Sequence, residues 1–133
     1  MSVLLKIFPE KRLVCSEFYG EVTGREILEH GCAIRSDLRF DPSFSEIVDF
    51  TRVTGVNVAE EVLKQLADAK SVFSDDSRHA IIAPAGPLYE LARLYQSQAD
   101  SRIVAVVQTR EQACHFLEIT ETRNDPPTLG RAR

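Results

Sequence analysis

The chain has 133 residues, 16 of them basic and 20 acidic, for a net charge of −4. That length buries one core without help from disulfides or metal, and an acidic balance with no Lys/Arg run longer than two residues argues against nucleic acid as a partner. No apolar run approaches the roughly 18 residues of a membrane span, and the short apolar stretch Met1 to Phe8 lacks the basic region that opens a signal peptide, so a cytoplasmic protein is expected.

Val3 to Phe8 and Arg12 to Tyr19 are two β-rich runs separated by Pro9-Glu10-Lys11, which predicts an antiparallel hairpin with proline in the turn. Thr23-Gly24-Arg25-Glu26 matches a capping box, with Thr23 accepting from the backbone and Glu26 reaching back. The helix it opens keeps Ile27, Leu28, Gly31, Ile34 and Leu38 at helical spacing until Phe40-Asp41-Pro42-Ser43 breaks it. His30, among Arg25, Glu26 and Glu29, is expected on the wet face of that helix.

From there strands and helices alternate. Glu46 to Phe50 reads as a strand, and a helix from about Val58 to Val72 carries Val62, Leu63, Leu66 and Ala69 on one face. His79 to Pro84 is the next strand. Gly86 to Ala99 is the next helix, with Pro87 suited to its first turn. Arg102 to Gln108 is an apolar strand, and Thr109-Arg110-Glu111-Gln112 is a second capping box, opening a last helix to about Ile119. The three unbroken apolar runs predict strands buried on both faces. The order predicts an α/β fold, a five-stranded mixed sheet entered through the N-terminal hairpin, with about four flanking helices. Residues 1–120 form the single domain, and residues 121–133, polar with two prolines, read as a loose tail or strap.

Cys15, Cys32 and Cys114 are odd in number and widely spaced, which suits reduced thiols. Cys15 in a strand and Cys32 in a helix are expected to be small buried hydrophobes. Cys114-His115 is the one adjacent Cys/His pair, but helix neighbours point about 100° apart, and no CxxC or HxxxH spacing accompanies them. No metal or cofactor is expected. Ser74-Asp75-Asp76-Ser77-Arg78-His79 gathers a hydroxyl, carboxylates and an imidazole, yet reads as a polar helix-to-strand loop, because a catalytic triad is assembled by the fold and not by sequence adjacency. The expectation is a protein that is not an enzyme.

The segment Ile47-Val48-Asp49-Phe50-Thr51-Arg52-Val53-Thr54, the strand Ala80-Ile81-Ile82-Ala83-Pro84 and the helix Leu91-Ala92-Arg93-Leu94-Tyr95 resemble anti-sigma-factor antagonist (STAS) domains, and more closely the SpoIIAA-like bacterial proteins, over about Val3 to Ile119. In a phosphorylatable domain of that family, an Asp-hydrophobic-Ser/Thr strand leads to an Asp-Ser pair at the next helix, where a kinase partner phosphorylates the serine. Asp49 and Thr51 match the strand, Asn57 takes the place of the aspartate and Val58 that of the serine. The resemblance thus implies a regulatory module whose usual phospho-switch is missing, with Thr51 or Thr54 as the remaining acceptors. It also implies, through the likeness drawn between this group and CRAL-TRIO lipid-binding proteins, a small apolar ligand or lipid as the alternative. Fold alone does not decide between them.

The candidate partner- or ligand-binding residues are Asp49, Thr51, Thr54, Val56, Asn57, Tyr89 and Arg93. Asp49 stands near the carboxyl end of its strand, where open α/β sheets bind ligands, and needs Arg93 or Arg52 as a partner if buried. Asn57 with Glu60 fits a helix cap, which competes with a binding role. Tyr89 and Arg93, four apart, share a helix face as a recognition patch or a solvated edge, while Tyr95 packs inward with Leu88, Leu91 and Ala92. Ala83-Pro84-Ala85-Gly86-Pro87 offers backbone N–H groups to an anion, but two prolines remove donors and a rigid turn is the simpler reading. Two functions follow. The first is a protein partner, or self-association, at an exposed Thr51 to Asn57 loop bearing Val53 and Val56. The second is an apolar ligand held among Leu63, Leu66, Leu91 and Tyr95.

Overall fold

The computed structural model describes residues 3–59, 61–62, 72–98 and 103–119. β1 (Val3–Phe8) and β2 (Leu13–Thr23) form the expected antiparallel hairpin, with Phe8 opposite Leu13 and Val3 opposite Phe18. The turn is a single 3-10 turn, Pro9–Lys11, closed by Arg12 at φ 53° with its N–H on the Pro9 carbonyl. Proline suits the first position because its φ is already set and no N–H is needed there.

After the hairpin every strand runs parallel to the one before it. α1 (Gly24–Ser36) leads from β2 to β3 (Ser45–Asn57). β4 (His79–Ile82) pairs with β3, and α2 (Pro87–Gln98) leads from β4 to β5 (Val104–Val107). α3 (Arg110–Leu117) follows. The result is an α/β fold with a five-stranded mixed sheet in the order β1-β2-β3-β4-β5 and three helices among the described residues. The helix expected from about Val58 to Val72, and the tail over residues 121–133, lie outside the described residues, apart from the ends of that helix.

Strand alternation sorts the core into two layers. One face carries Leu13, Cys15, Ile47, Ala80 and Ile82, packed under Ala113, Cys114 and Leu117 of α3. On the other, Ile34 of α1 meets Val14 and Ile7, and Ala92 of α2 meets Ile81 and Val104. Both capping boxes form. Thr23 Oγ1 accepts from the Glu26 N–H at 3.2 Å and Glu26 Oε1 from the Thr23 N–H at 3.0 Å, and Thr109 with Gln112 repeats the exchange. Each such cap is worth about 1 kcal/mol.

Several expectations fail in instructive ways. β3 does not end at Phe50; Thr51 to Asn57 is strand, not loop, because its β-branched residues ladder onto Tyr19 to Thr23 of an equally extended β2. α1 stops at Ser36, where Asp37 donates to the Ile34 carbonyl, so Leu38 lies past the helix and is fully exposed. The buried stripe of α1 is Gly24, His30 and Ile34. With about 100° per residue, the His30–Ile34 side of that stripe turns Leu28 and Cys32 outward, and His30 is inside rather than on the wet face. A Cβ added to Gly24 would stand 2.8 Å from Val62 Cγ1, which is why the first turn of α1 takes glycine.

Candidate functional site

Asp49 organises β3 at the point where its ladder with β4 ends. Glu17 opposes Asp49, but the next registered pair is Tyr19 with Arg52, so β3 carries an extra residue there, a β-bulge. Asp49 Oδ1 accepts the Thr51 backbone N–H at 2.8 Å and the Thr51 hydroxyl at 2.7 Å, holding the bulge in place. In a regular strand Arg52, three residues on, would point to the opposite face from Asp49. The extra residue reverses this, and Arg52 Nη1 comes 3.8 Å from Glu17 Oε1. A second shift follows between Gly20 and Glu21, where Gly20 adopts φ +71°, a conformation that glycine tolerates without penalty.

Glu17 and Asp49 therefore lie side by side on the α3 face, 3% and 6% exposed. Burial lifts the Glu17 carboxyl above the ordinary carboxylate range; Arg52 pulls it back, Asp49 lifts it further, and Arg110 at the start of α3 lowers it again. The row continues through Ile82 and Val107 at the ends of β4 and β5. β4 and β5 end here at their carboxyl ends, the side of parallel strands beyond which ligands bind in α/β proteins. Its chemistry is that of a carboxyl group held above its ordinary range by burial, beside a second carboxylate and two guanidinium groups. Behind it, burial pushes the Cys15 thiol up to about 12, so that sulfur is a packing group and not a nucleophile.

The opposite face holds a second polar contact. Ser16 Oγ lies 2.6 Å from His30 Nε2, both groups buried, with the Phe18 ring edge-on to the imidazole at 5.1 Å. His30 Nδ1 is buried with no hydrogen-bond partner among the described residues, and burial holds the imidazole pKa below its usual value while Glu46 raises it. Glu46 Oε1 is 2.9 Å from His79 Nδ1, against the Phe73 ring.

Asp49 and Thr51 come into direct contact as one unit, but the partner of Asp49 is Thr51 rather than Arg93 or Arg52; Arg52 turns to Glu17. Thr54, Val56 and Asn57 lie farther along β3, and Val53 and Val56 are half-buried instead of exposed. Asn57 ends the strand with its side chain exposed, and its expected capping partner Glu60 lies outside the described residues. Tyr89 and Arg93 share a face of α2, Arg93 Nη1 donating to the Tyr89 hydroxyl at 3.4 Å with the guanidinium 6.0 Å from the ring. Tyr89 packs onto Ile81 and Ala92 on the other side of the sheet, away from Asp49. Of the four residues expected around an apolar ligand, Leu63 and Leu66 lie outside the described residues, Leu91 is half-buried and Tyr95 packs against the Ala92–Val104 cluster.

Glu17, Arg110 and the Ser16–His30 contact were not among the candidates. The signal for Glu17 is a carboxylate two residues after Cys15 in an apolar strand, an inward position by alternation; for His30 it is a spacing of four from Ile34. No protein-family model matches the chain, and no curated protein matches it significantly. Among the described residues, no helix is long and apolar enough to cross a membrane.

Proposed function

We propose that this chain is a non-enzymatic protein-interaction module of the STAS type that takes an extended segment of a partner protein along the open side of β3. The observation that supports it is a mismatch of strand lengths. The ladder between β3 and β4 ends at Asp49 opposite Ile82, while β3 continues to Asn57 with β2 alone. Among the described residues, no strand pairs with Phe50 to Asn57 on the side away from β2. An unpaired strand edge offers N–H and C=O groups to an added strand; natural edges that avoid this carry Pro, Lys, inward charges or bulges, and of these the segment has the two bulges opposite Glu17 to Glu21. Phe50-Thr51-Arg52-Val53-Thr54-Gly55-Val56-Asn57 has no Pro or Lys and four β-branched residues. Arg52, 61% exposed, is its one charged side chain, so a partner strand with a carboxylate opposite Arg52 fits better than a basic one.

The order of elements and the Asp49-Phe50-Thr51 strand support the STAS likeness, and Val58 in place of the serine separates this chain from phospho-switched members. Thr51 already gives its hydroxyl to Asp49, so a phosphate there would stand beside a buried carboxylate; exposed Thr54 is the better acceptor of the two. Peptides selected from a random library against the full chain test the reading. Binding peptides should shift the backbone NMR resonances of Thr51 to Asn57, and Val56→Lys should weaken them at least about tenfold, roughly 1.4 kcal/mol, with an unchanged melting curve. Shifts confined to α2, or unaltered affinity in Val56→Lys, would sink it.

A further inference from the structure

We propose that the Ser16–His30 contact is an acid-sensitive latch that holds α1 against β2. In the neutral imidazole one nitrogen carries a proton and the other does not. Nε2 is satisfied by Ser16 Oγ at 2.6 Å in either tautomer, and Nδ1 is buried with no described partner in both. The imidazolium carries a proton on both nitrogens, so whichever takes the second one, an Nδ1–H is left with no acceptor among the described residues, inside a layer closed by Phe18 and Ile34. Burying such a charge unpaired costs more than exposing it, so protonation is coupled to lifting the helix until water reaches the ring.

The groups around His30 leave no internal alternative among the described residues. β2 presents Ser16 and Phe18, neither of which ionises. β3 presents Glu46, the carboxylate whose charge reaches His30 and favours its protonation, but it makes no hydrogen bond to His30 Nδ1 and its Oε1 lies 2.9 Å from His79 Nδ1 of β4. Tyr95 of α2, which also feels Glu46, packs against the Ala92–Val104 cluster, and burial and then Glu46 raise its pKa. On α1 itself, Glu26 is committed to the capping box with Thr23, and Glu29 is exposed and paired with Arg25 at 3.1 Å. The sign follows. Burial sets the folded-state pKa below the unfolded one, so the unfolded or lifted form binds more protons; the latch is fully closed above about pH 6.5 and weakens as pH falls below it. Lifting α1 leaves the β2–β3 ladder intact but loosens the ribbon end, since Thr23, opposite Asn57, is the cap of α1.

The test is amide hydrogen exchange of the full chain between about pH 7.5 and about pH 5.5, corrected for intrinsic rates, with NMR titration of the three histidine rings. Protection of α1 amides should fall by up to about tenfold per pH unit, the limit for one proton, while β2 and β3 amides away from the Thr23–Asn57 end hold, and the His30 ring should titrate with the same midpoint. In His30→Gln, which keeps a partner for Ser16 but does not ionise, α1 protection should be flat. A His30 ring that takes its proton while α1 stays protected overturns the latch in the wild-type chain, whether or not His30→Gln folds; so does an equal loss of protection in His30→Gln.

Discussion

Ser16 and Glu17 are neighbours in sequence and both buried, yet they solve opposite problems on opposite faces of β2. Ser16 meets His30 under Phe18 and Ile34, a contact between neutral groups sealed by apolar side chains. Glu17 meets Asp49 and Arg52, ionisable groups placed at the end of the sheet where the guanidinium reaches solvent. The comparison shows where a small α/β domain tolerates buried polarity. A neutral pair sits under a helix, because low dielectric strengthens a satisfied hydrogen bond. A charged set needs a route to water, since desolvation of ions outweighs their attraction in a closed interior.

Opening the sealed face gives the largest effect. Phe18 is 1% exposed and touches both His30 and Phe50. Phe18→Ala should cost about 3–5 kcal/mol in denaturant unfolding and flatten the pH dependence of α1 protection, because water then reaches the imidazole without the helix lifting. A cost under about 1 kcal/mol would mean that this layer is looser than its packing implies.

On the charged face the bulge is the point to break. Asp49→Ala strands the Thr51 N–H and releases Arg52 from its side of the strand, at a cost of about 1–3 kcal/mol. Asp49→Asn keeps an acceptor for Thr51 and should lose much less, while removing the like charge beside Glu17 lowers the Glu17 pKa toward the ordinary range. Carboxyl carbon NMR shifts of Glu17 in the two variants measure this directly. Equal losses for Ala and Asn would show that the bulge does not depend on Asp49 as an acceptor.

The hairpin, both capped helices and the order of strands were legible because each rests on local chemistry: Pro9 in a turn, Thr23 with Glu26, Thr109 with Gln112, apolar runs of strand length. The second half of β3 was not, because Gly55 and Asn57 read as turn residues and only pairing with β2 makes them strand. Asp49 could be singled out as a carboxylate in an apolar run, but its partner depended on a bulge, and a single extra residue decides which way Arg52 faces. His30 was misplaced because its sequence neighbours are charged, whereas a helix buries by spacing and not by adjacency.

Acid acts with opposite sign on the two faces, which Glu17→Gln sharpens. Burial raises the folded-state pKa of Glu17 above its unfolded value, so the native state holds the extra proton; this contribution is complete below about pH 4.3 and is lost as pH rises through the folded value. At pH 8 the buried carboxylate is a burden, and Glu17→Gln should be about 1 kcal/mol more stable than the wild type. Below pH 4 that difference should close. His30 works the other way, losing stability as pH falls. Melting curves of Glu17→Gln and His30→Gln across this range should therefore diverge from the wild type at opposite ends; parallel curves would remove the distinction between the faces.

The smallest effect tests how α1 meets the sealed face. Leu28 is 48% exposed, whereas Ile34 is 1% exposed; both were expected inward from spacing alone. At 100° per residue Leu28 stands about 120° from Ile34 and about 160° from His30, so it cannot face the sheet once His30 fixes which side does. Leu28→Lys should change stability by less than about 0.5 kcal/mol, whereas Ile34→Ala should cost about 2–5 kcal/mol. The pair also separates helix propensity from burial, because leucine and lysine are nearly equal helix formers and differ here only in what they face. A large loss from Leu28→Lys would rotate the helix, bring Cys32 toward the interior with it, and carry His30 away from Ser16, so this mild substitution bears on the latch as directly as any change to the imidazole.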